Sequence, residues 1–408
     1  MCVVTMSLAN GIPRYAAEPC ASHMPTCTRT RTLKGMCKPL KPGSSKSKEA
    51  FRSCTPSERR PRIARVYALR MPLQTSEVGT SPGAASVSVI IPTYNRLPIL
   101  TKCLNALEAQ ELSRGAHDSI SKYEVIVVDD GSSDATVEYL RAHAADFPHV
   151  RVLTQEHGGA AAARNMGVMN STSDVVVFID SDLVVGPTFL REHAAGLQQA
   201  YTDDGDDIAF TYGRVVNTDN FDDPTSEPFK FSDLSAAFFA TGNVAISRRR
   251  LLAVDTGAGP FDTEFSEYGW EDLELGERLR ATGVRIVQCP AAVGFHYHPA
   301  FAIDQLPSLI SQEKQRGRNG VRFFMKHPNF NVRLMVQMTP FHFALWALLT
   351  LFGSLNENTL RPLLSWLLRQ GHSRSAMGLI SPILNWHNIQ ATRSEAAKHM
   401  NVFQSWLP

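Results

Sequence analysis

From residue 87 onward, short and almost wholly apolar runs alternate with longer stretches whose apolar residues recur every three or four positions. Residues 87–91 form a mostly β-branched run closed by Pro92, the pattern of a strand covered on both faces. Residues 97–110 place Leu100, Leu104 and Leu107 on one helical face. Residues 124–128 predict a second buried strand, stopped by Asp129-Asp130-Gly131-Ser132-Ser133. Residues 134–144 follow as a helix with Val137 and Leu140 inward, and 151–154 as a third strand. His157-Gly158-Gly159 turns into a helix of small residues at 160–170, and 174–179 is a fourth strand ending in Asp180-Ser181-Asp182. Strands alternating with helices predict an α/β class, a mostly parallel sheet with right-handed crossovers and flanking helices. Ligands of such sheets bind at the carboxyl ends of the strands, where Asp129, Asp130, Asp180 and Asp182 all fall.

Residues 303–400 read as mainly helical, with Leu306, Leu309 and Ile310 marking one inward face. The apolar stretch 335–352, broken at Pro340, reads as the buried core of a helical appendage. The alternative lays it in a membrane interface, a peripheral contact with Arg316, Arg318, Arg322 and Lys326 facing lipid phosphates. The apolar run 339–353 is shorter than the roughly 20 residues a membrane-spanning helix needs. Residues 218–231, rich in Asp, Pro and Phe, read as a mobile loop over the cleft that selects the acceptor.

Charge divides the chain. Residues 1–80 hold 14 Lys and Arg against 4 Glu and no Asp, a balance of +10. The chain totals are 41 and 39, so the remainder holds 27 basic and 35 acidic residues, a balance of −8. An acidic body argues against nucleic acid as its partner. The head is basic, hydroxylated and without apolar periodicity, the composition of an organelle transit peptide. It points to a plastid first, with a mitochondrion, or the cytosol with membrane association, as alternatives; a disordered tail is the competing reading. Ser81-Pro82-Gly83 reads as linker. Five of the seven cysteines lie in the head; Cys103 and Cys289 in the body make no disulfide framework, which suits a reducing compartment. Hydrophobic residues at 43% and charged residues at 20% exclude a mostly disordered chain.

Four carboxylates at one sheet edge repel one another unless a cation binds among them. Asp-x-Asp places two carboxylates on one side of an extended segment, a spacing that suits a hard divalent ion bridging a diphosphate. No Gly-x-Gly-x-x-Gly follows the first strand, where Pro92-Thr93-Tyr94-Asn95-Arg96 stands instead. The phosphate-cradling loop of ATPases and the Gly-x-Ser-x-Gly of hydrolases are also absent from the sequence. Glu271-Asp272 after Gly269-Trp270 opens a helix, and a carboxylate there can point into the cleft; helix-dipole enrichment is the competing account.

The blocks at 89–96, 127–132, 163–167 and 178–182 resemble, in order and spacing, the family 2 glycosyltransferases. Thr241-Gly242-Asn243 and the 268–274 segment are similar to the acceptor-side segment of galactosyltransferases and polypeptide N-acetylgalactosaminyltransferases. The resemblance covers about residues 86–300 and implies a GT-A fold and sugar transfer from a nucleotide-sugar, a UDP-sugar first, to a carbohydrate, lipid or other hydroxyl acceptor. It implies a divalent metal, Mn or Mg, and an inverting mechanism. By the same resemblance Pro92, Thr93, Tyr94 and Arg96 line the nucleotide pocket. One carboxylate of Asp129 and Asp130, with Asp130 the first choice, contacts base or ribose, and Arg164 reaches the base or the diphosphate. Asp182 is the main metal ligand, with Asp180 holding the ribose or the ion. His296 completes the metal shell, with His298 as a spare. Asp272 is the base and Glu271 orients the acceptor. Trp270, suited to stacking on a sugar ring, lies with Gly242 and Asn243 on the acceptor side. The expected organisation is a basic extension over 1–80, a catalytic domain over 86–300 with a donor half (86–200) and an acceptor half (201–300), and a mainly helical region over 301–408. A sugar-nucleotide nucleotidyltransferase and an inactive scaffold on the same fold are the rival classes. The first would carry a Gly-rich basic loop after the first strand; intact Asp182 and Asp272 argue against the second.

Overall fold

A computed structural model of the chain describes residues 84–112, 120–204, 207–230, 233 and 237–399. The basic extension and its expected address role lie outside these residues.

Strands β1 (Ala85–Thr93), β2 (Ile120–Asp129), β3 (Val150–Thr154) and β4 (Val175–Ile179) alternate with helices α1 (Leu97–Glu108), α2 (Thr136–Ala142) and α3 (Ala160–Asn170). Then come β5 (Leu183–Val185), α4 (Phe189–Asp204), β6 (Ala209–Thr218), β7 (Asn243–Ser247), α5 (Arg248–Leu252), α6 (Glu271–Ala281) and β8 (Arg285–Tyr297). One eight-stranded sheet runs β3-β2-β1-β4-β7-β6-β8-β5. β3-β2-β1-β4 is parallel throughout. β7 is antiparallel to both its neighbours, β5 is antiparallel to β8, and β6 runs parallel to β8. The four-unit α/β reading thus holds for the first half, and antiparallel strands complete a mixed sheet.

The first strands are apolar at successive positions because both sheet faces are covered. Val87, Val89 and Ile91 meet α1 and α4 on one face through Leu100, Leu104, Phe189 and Leu197. Ile90, Val176 and Phe178 point to the other face, against α3 and α6. Small residues let α3 lie close to β1: a side chain at Gly167 would collide with Ile90.

The chain continues as helices α7 (Leu306–Lys326), α8 (Phe330–Met335), α9 (Pro340–Leu349), α10 (Glu357–Arg369) and α11 (Ser373–Lys398). Pro340 opens α9 rather than interrupting it, and the Thr339 hydroxyl caps the helix by accepting from the His342 amide at 3.3 Å. The core reading of 335–352 fails over α9 and the turn after it, where Phe341, Leu348 and Phe352 are exposed and only Ala347 of the helix is buried. The cations expected to meet lipid phosphates are engaged inside the protein. Arg316 pairs with Glu313, Arg318 with Glu267, and Lys326 with Asp262 and Glu264, while Arg322 donates to Asn319. The described part of the 218–231 segment is held at several points. Lys102 donates to the Asp222 carbonyl at 3.3 Å, Phe221 packs on Tyr297, and Asp219 pairs with Arg374.

Candidate active site

β1 and β2 pair in register to their last residues, so Thr93 lies beside Asp129 and Pro92 beside Val128. Asn95 takes a left-handed backbone (φ 53°), and its Oδ1 accepts from the amides of Ser133 at 2.7 Å and Asp134 at 3.1 Å. This ties together the two loops that follow the strands. Thr93 Oγ1 and Asp129 Oδ1 are buried without a partner among the described residues. Asp129 Oδ2 accepts from the Ser132 amide at 3.1 Å. A buried polar atom left unpaired costs about 1–3 kcal/mol, so two of them side by side mark a place for a polar ligand. Tyr94 packs its ring on His157 at 4.6 Å between centroids.

Asp130 is occupied differently. Its carboxylate accepts from Gln155 at 2.7 Å and from the amides of Gly158 at 2.8 Å and Gly159 at 2.9 Å, and His157 lies 2.9 Å away. The expected first choice for base or ribose contact therefore buttresses the β3–α3 loop. Of the pair, Asp129 is the residue with a spare oxygen.

Asp180 and Asp182 flank a turn rather than sharing one side of an extended segment, since the Leu183 amide donates back to the Asp180 carbonyl. They still converge: His296 Nε2 lies 2.9 Å from Asp182 Oδ1 and 4.0 Å from Asp180 Oδ2. β5 pairing with β8 in the register Leu183↔His296 brings this about. Arg96 pairs with the other Asp182 oxygen. Burial alone would raise Asp182, but Arg96 and His296 hold it far below the usual carboxylate range. His296 and His298 stack side by side, 4.1 Å between centroids. His298 Nε2 donates to Asn217 Oδ1 at 3.0 Å, and burial and His296 push the ring down to about 3. Asp182, His296 and His298 each offer one ligand atom within 4.8 Å of the others.

Arg164, buried on α3, connects this cluster to the second carboxylate pair. Its Nη2 donates to Asp180 at 3.0 Å and its Nη1 to Glu271 at 2.9 Å. Asp272 is half-buried beside Glu271 at the start of α6; it accepts from the Leu273 amide at 2.8 Å and the Thr241 amide at 3.4 Å. Burial and the Glu271 carboxylate push Asp272 up to about 7, against the pull of Arg164. Gly242 lies against Asp180: a side chain there would sit 3.4 Å from its Oδ2.

Two expected acceptor residues point elsewhere. Trp270 takes a left-handed backbone (φ 79°), and its indole turns into the protein, donating to the Arg316 carbonyl at 2.8 Å and packing with Phe265, Val321 and Phe323. No face is left for a sugar. Asn243 is buried under the sheet, donating to the carbonyls of Arg214 and Ala292, each at 3.0 Å, and holding His193 through its Oδ1 at 2.8 Å.

The glycosyl transferase family 2 signature matches residues 88–253, the stretch that carries both the Thr93–Asp129 pair and the Asp180–Asp182 turn. Residues 88–253 are a family 2 glycosyltransferase domain. The chain is 28% identical to glycosyltransferase AglE of Haloferax volcanii over 242 residues, 59% of this chain and 74% of that protein. It is 26% identical to validoxylamine A glucosyltransferase of Streptomyces hygroscopicus subsp. jinggangensis over 324 residues, 69% of each chain. A solved mannosyltransferase from Pyrobaculum calidifontis, in complex with GDP-Man and Mn2+, aligns with a TM-score of 0.45 at 21% identity over 81% of this chain and 91% of that one. The architecture is a mixed sheet flanked by helices with a helical C-terminal region. The family's chemistry is sugar transfer from a nucleotide-sugar.

In this glycosyltransferase the setting of α6 depends on residues that short-range spacing did not single out. His327 lies 2.9 Å from Glu274, which also pairs with Arg278 at 2.7 Å. Asn319 of α7 donates to the carbonyls of Glu267 and Gly269, and Arg316 to the Tyr268 hydroxyl at 3.3 Å. α7 thus clamps the loop that ends in Trp270 and delivers Glu271 and Asp272. His157 before a Gly-Gly turn is the one signal that could have marked the Asp130 anchor.

Proposed function

We propose that the enzyme is a metal-dependent, inverting glycosyltransferase in which Asp272 is the base. The single observation that carries this reading is the Arg164 fork. It joins Asp180, on the donor side, to Glu271, next to a carboxyl whose affinity for a proton suits base catalysis near neutral pH.

The donor set fits a manganese-like ion: carboxylate oxygens and imidazole nitrogen converge from Asp180, Asp182 and His296, with His298 adjacent. When bound, such an ion neutralises the charge of a departing diphosphate. Thr93 Oγ1 and Asp129 Oδ1 supply unsatisfied polar atoms for base or ribose, with Tyr94 and Pro92 alongside. Asp130 keeps the Gly158-Gly159 turn in place ahead of α3, and α3 presents Arg164 toward the diphosphate. Asp272 takes the proton of the acceptor hydroxyl while that oxygen bonds to the anomeric carbon. The bond from that carbon to the diphosphate oxygen breaks on the opposite side, and the nucleoside diphosphate leaves. Glu271, held by Arg164, orients the acceptor hydroxyl.

The test is a panel of nucleotide-sugars, UDP-sugars first, scored for released nucleoside diphosphate with and without added manganese. Release with at least one donor that stops on chelation and resumes with Mn or Mg supports the reading. Equal release in chelator refutes the metal. Product with the donor's own anomeric configuration refutes inversion. The head is proposed to direct the protein to an organelle; an unchanged location after its deletion, followed by a fluorescent fusion, would reject that.

A further inference from the structure

The C-terminal helices carry an apolar surface with no cover among the described residues. Phe330 is 65% exposed, Phe341 61%, Leu348 64%, Phe352 77% and Trp366 50%. On α9 the outward positions Phe341, Ala344 and Leu348 follow helical spacing, so the solvent-facing stripe is itself apolar, the inverse of an ordinary surface helix. Leu351 and Phe352 at its end take left-handed backbones (φ 48° and 55°), which bulky residues adopt at a cost of about 1–3 kcal/mol each, yet both side chains project outward. Water offers nothing in return for that exposure.

Charge selects the occupant. From residue 330 to 369 the charged residues are Arg333, Arg361 and Arg369 against Glu357 alone, and Glu357 lies 3.1 Å from His387. Arg361 and Arg369 are exposed and unpaired among the described residues, on the same helix as the exposed Leu363 and Trp366. A tryptophan beside unpaired arginines on an apolar face is the composition of an interfacial helix at anionic lipid. Residues 330–349 pass as a membrane span by length and composition, but the chain breaks between α8 and α9, with Gln337 left-handed (φ 59°). Neither helix alone has the roughly 20 residues that spanning requires.

We propose that the exposed apolar residues of α8, α9, the 351–352 turn and α10 together lie on the surface of an anionic phospholipid bilayer. Val332 of α8 and Val336 just after it sit in the cluster that holds Trp270 and Leu273, so the bilayer-facing surface and the start of α6 share one packed wall.

The test is flotation of the full chain with vesicles of equal parts phosphatidylcholine and phosphatidylglycerol, and with vesicles of phosphatidylcholine alone. The parent binds the anionic vesicles more strongly. Phe341→Asp with Phe352→Asp lowers binding about tenfold or more, and Arg361→Glu with Arg369→Glu lowers it about fivefold or more. Melting temperature and donor hydrolysis stay at parental values in both, since these side chains are exposed. Binding is read without turnover, so the result stands apart from the reading of the cleft. Undiminished binding by the variants assigns the attraction to the basic head and overturns the proposal. So does a parent that floats with neither vesicle, or one that runs as a dimer which Phe341→Asp with Phe352→Asp turns into a monomer.

Discussion

Arg164 and Glu271 stand 107 positions apart in sequence and 2.9 Å apart in the fold, with the other arm of the same guanidinium on Asp180. One planar fork therefore sets the spacing between Asp180 and Glu271, the proposed donor and acceptor sides. Lysine has a single ammonium and cannot hold both carboxylates in that geometry. Arg164→Lys should lower kcat/KM by about 10–100-fold, the worth of one lost charge-assisted bond. Steady-state kinetics check it; parental kcat/KM would mean that the fork is only structural.

A base contributes about 10²–10⁴-fold to rate and need not touch the donor. Asp272→Asn keeps the shape and the bond from the Leu273 amide but removes the proton acceptor. Turnover should fall by about two orders of magnitude or more, while nucleotide-sugar Kd stays within a few-fold of the parent. Calorimetry beside a transfer assay separates the two effects. Lost donor affinity would place Asp272 in the donor or metal shell.

The pH profile follows from the same residue. Asp272 is pushed up to about 7 by burial and by Glu271, so below that pH the carboxyl is protonated and has no room for the acceptor's proton. The rate should rise by about tenfold per pH unit up to near neutrality and then level off. Glu271→Gln removes one of the raising influences and should move the midpoint to lower pH. A midpoint that does not move, or moves upward, would assign the acid limb to another group.

The Asp129–Asp130 pair divides by partner. Asp130→Asn disturbs four contacts around the Gly158-Gly159 turn and should lower stability by about 1–3 kcal/mol. Asp129→Asn should instead weaken donor binding with a smaller change in stability. Paired denaturation curves and donor titrations decide; the reverse pattern would restore Asp130 as the ligand contact.

Trp270→Ala removes a buried indole and should cost about 3–5 kcal/mol in unfolding free energy. Trp270→Phe removes the bond to the Arg316 carbonyl and should cost about 1 kcal/mol. A change in acceptor KM without loss of stability in either variant would return the residue to the sugar.

Periodicity alone reached the first half of the fold. Burial of β1, β2 and β4 on both faces forces continuous apolar runs, and α1 and α3 must turn one apolar or small face to them, so local spacing carries their positions. Strand ends were legible for the same reason: Asp129 and Asp180 follow directly on the runs they terminate, with Asp182 two positions further on. Tertiary contact decided which way each polar group points. Asp130 is drawn away by the amides of Gly158 and Gly159, and Trp270 by a helix that begins beyond residue 300. Asn243 is drawn under the sheet by His193 and two carbonyls. A side chain's direction depends on partners that hydrophobic spacing does not encode. The apolar stretch near 340 shows the same limit from the other side: the sequence specifies how greasy a helix is, and only the packing shows which of its faces is left without a neighbour.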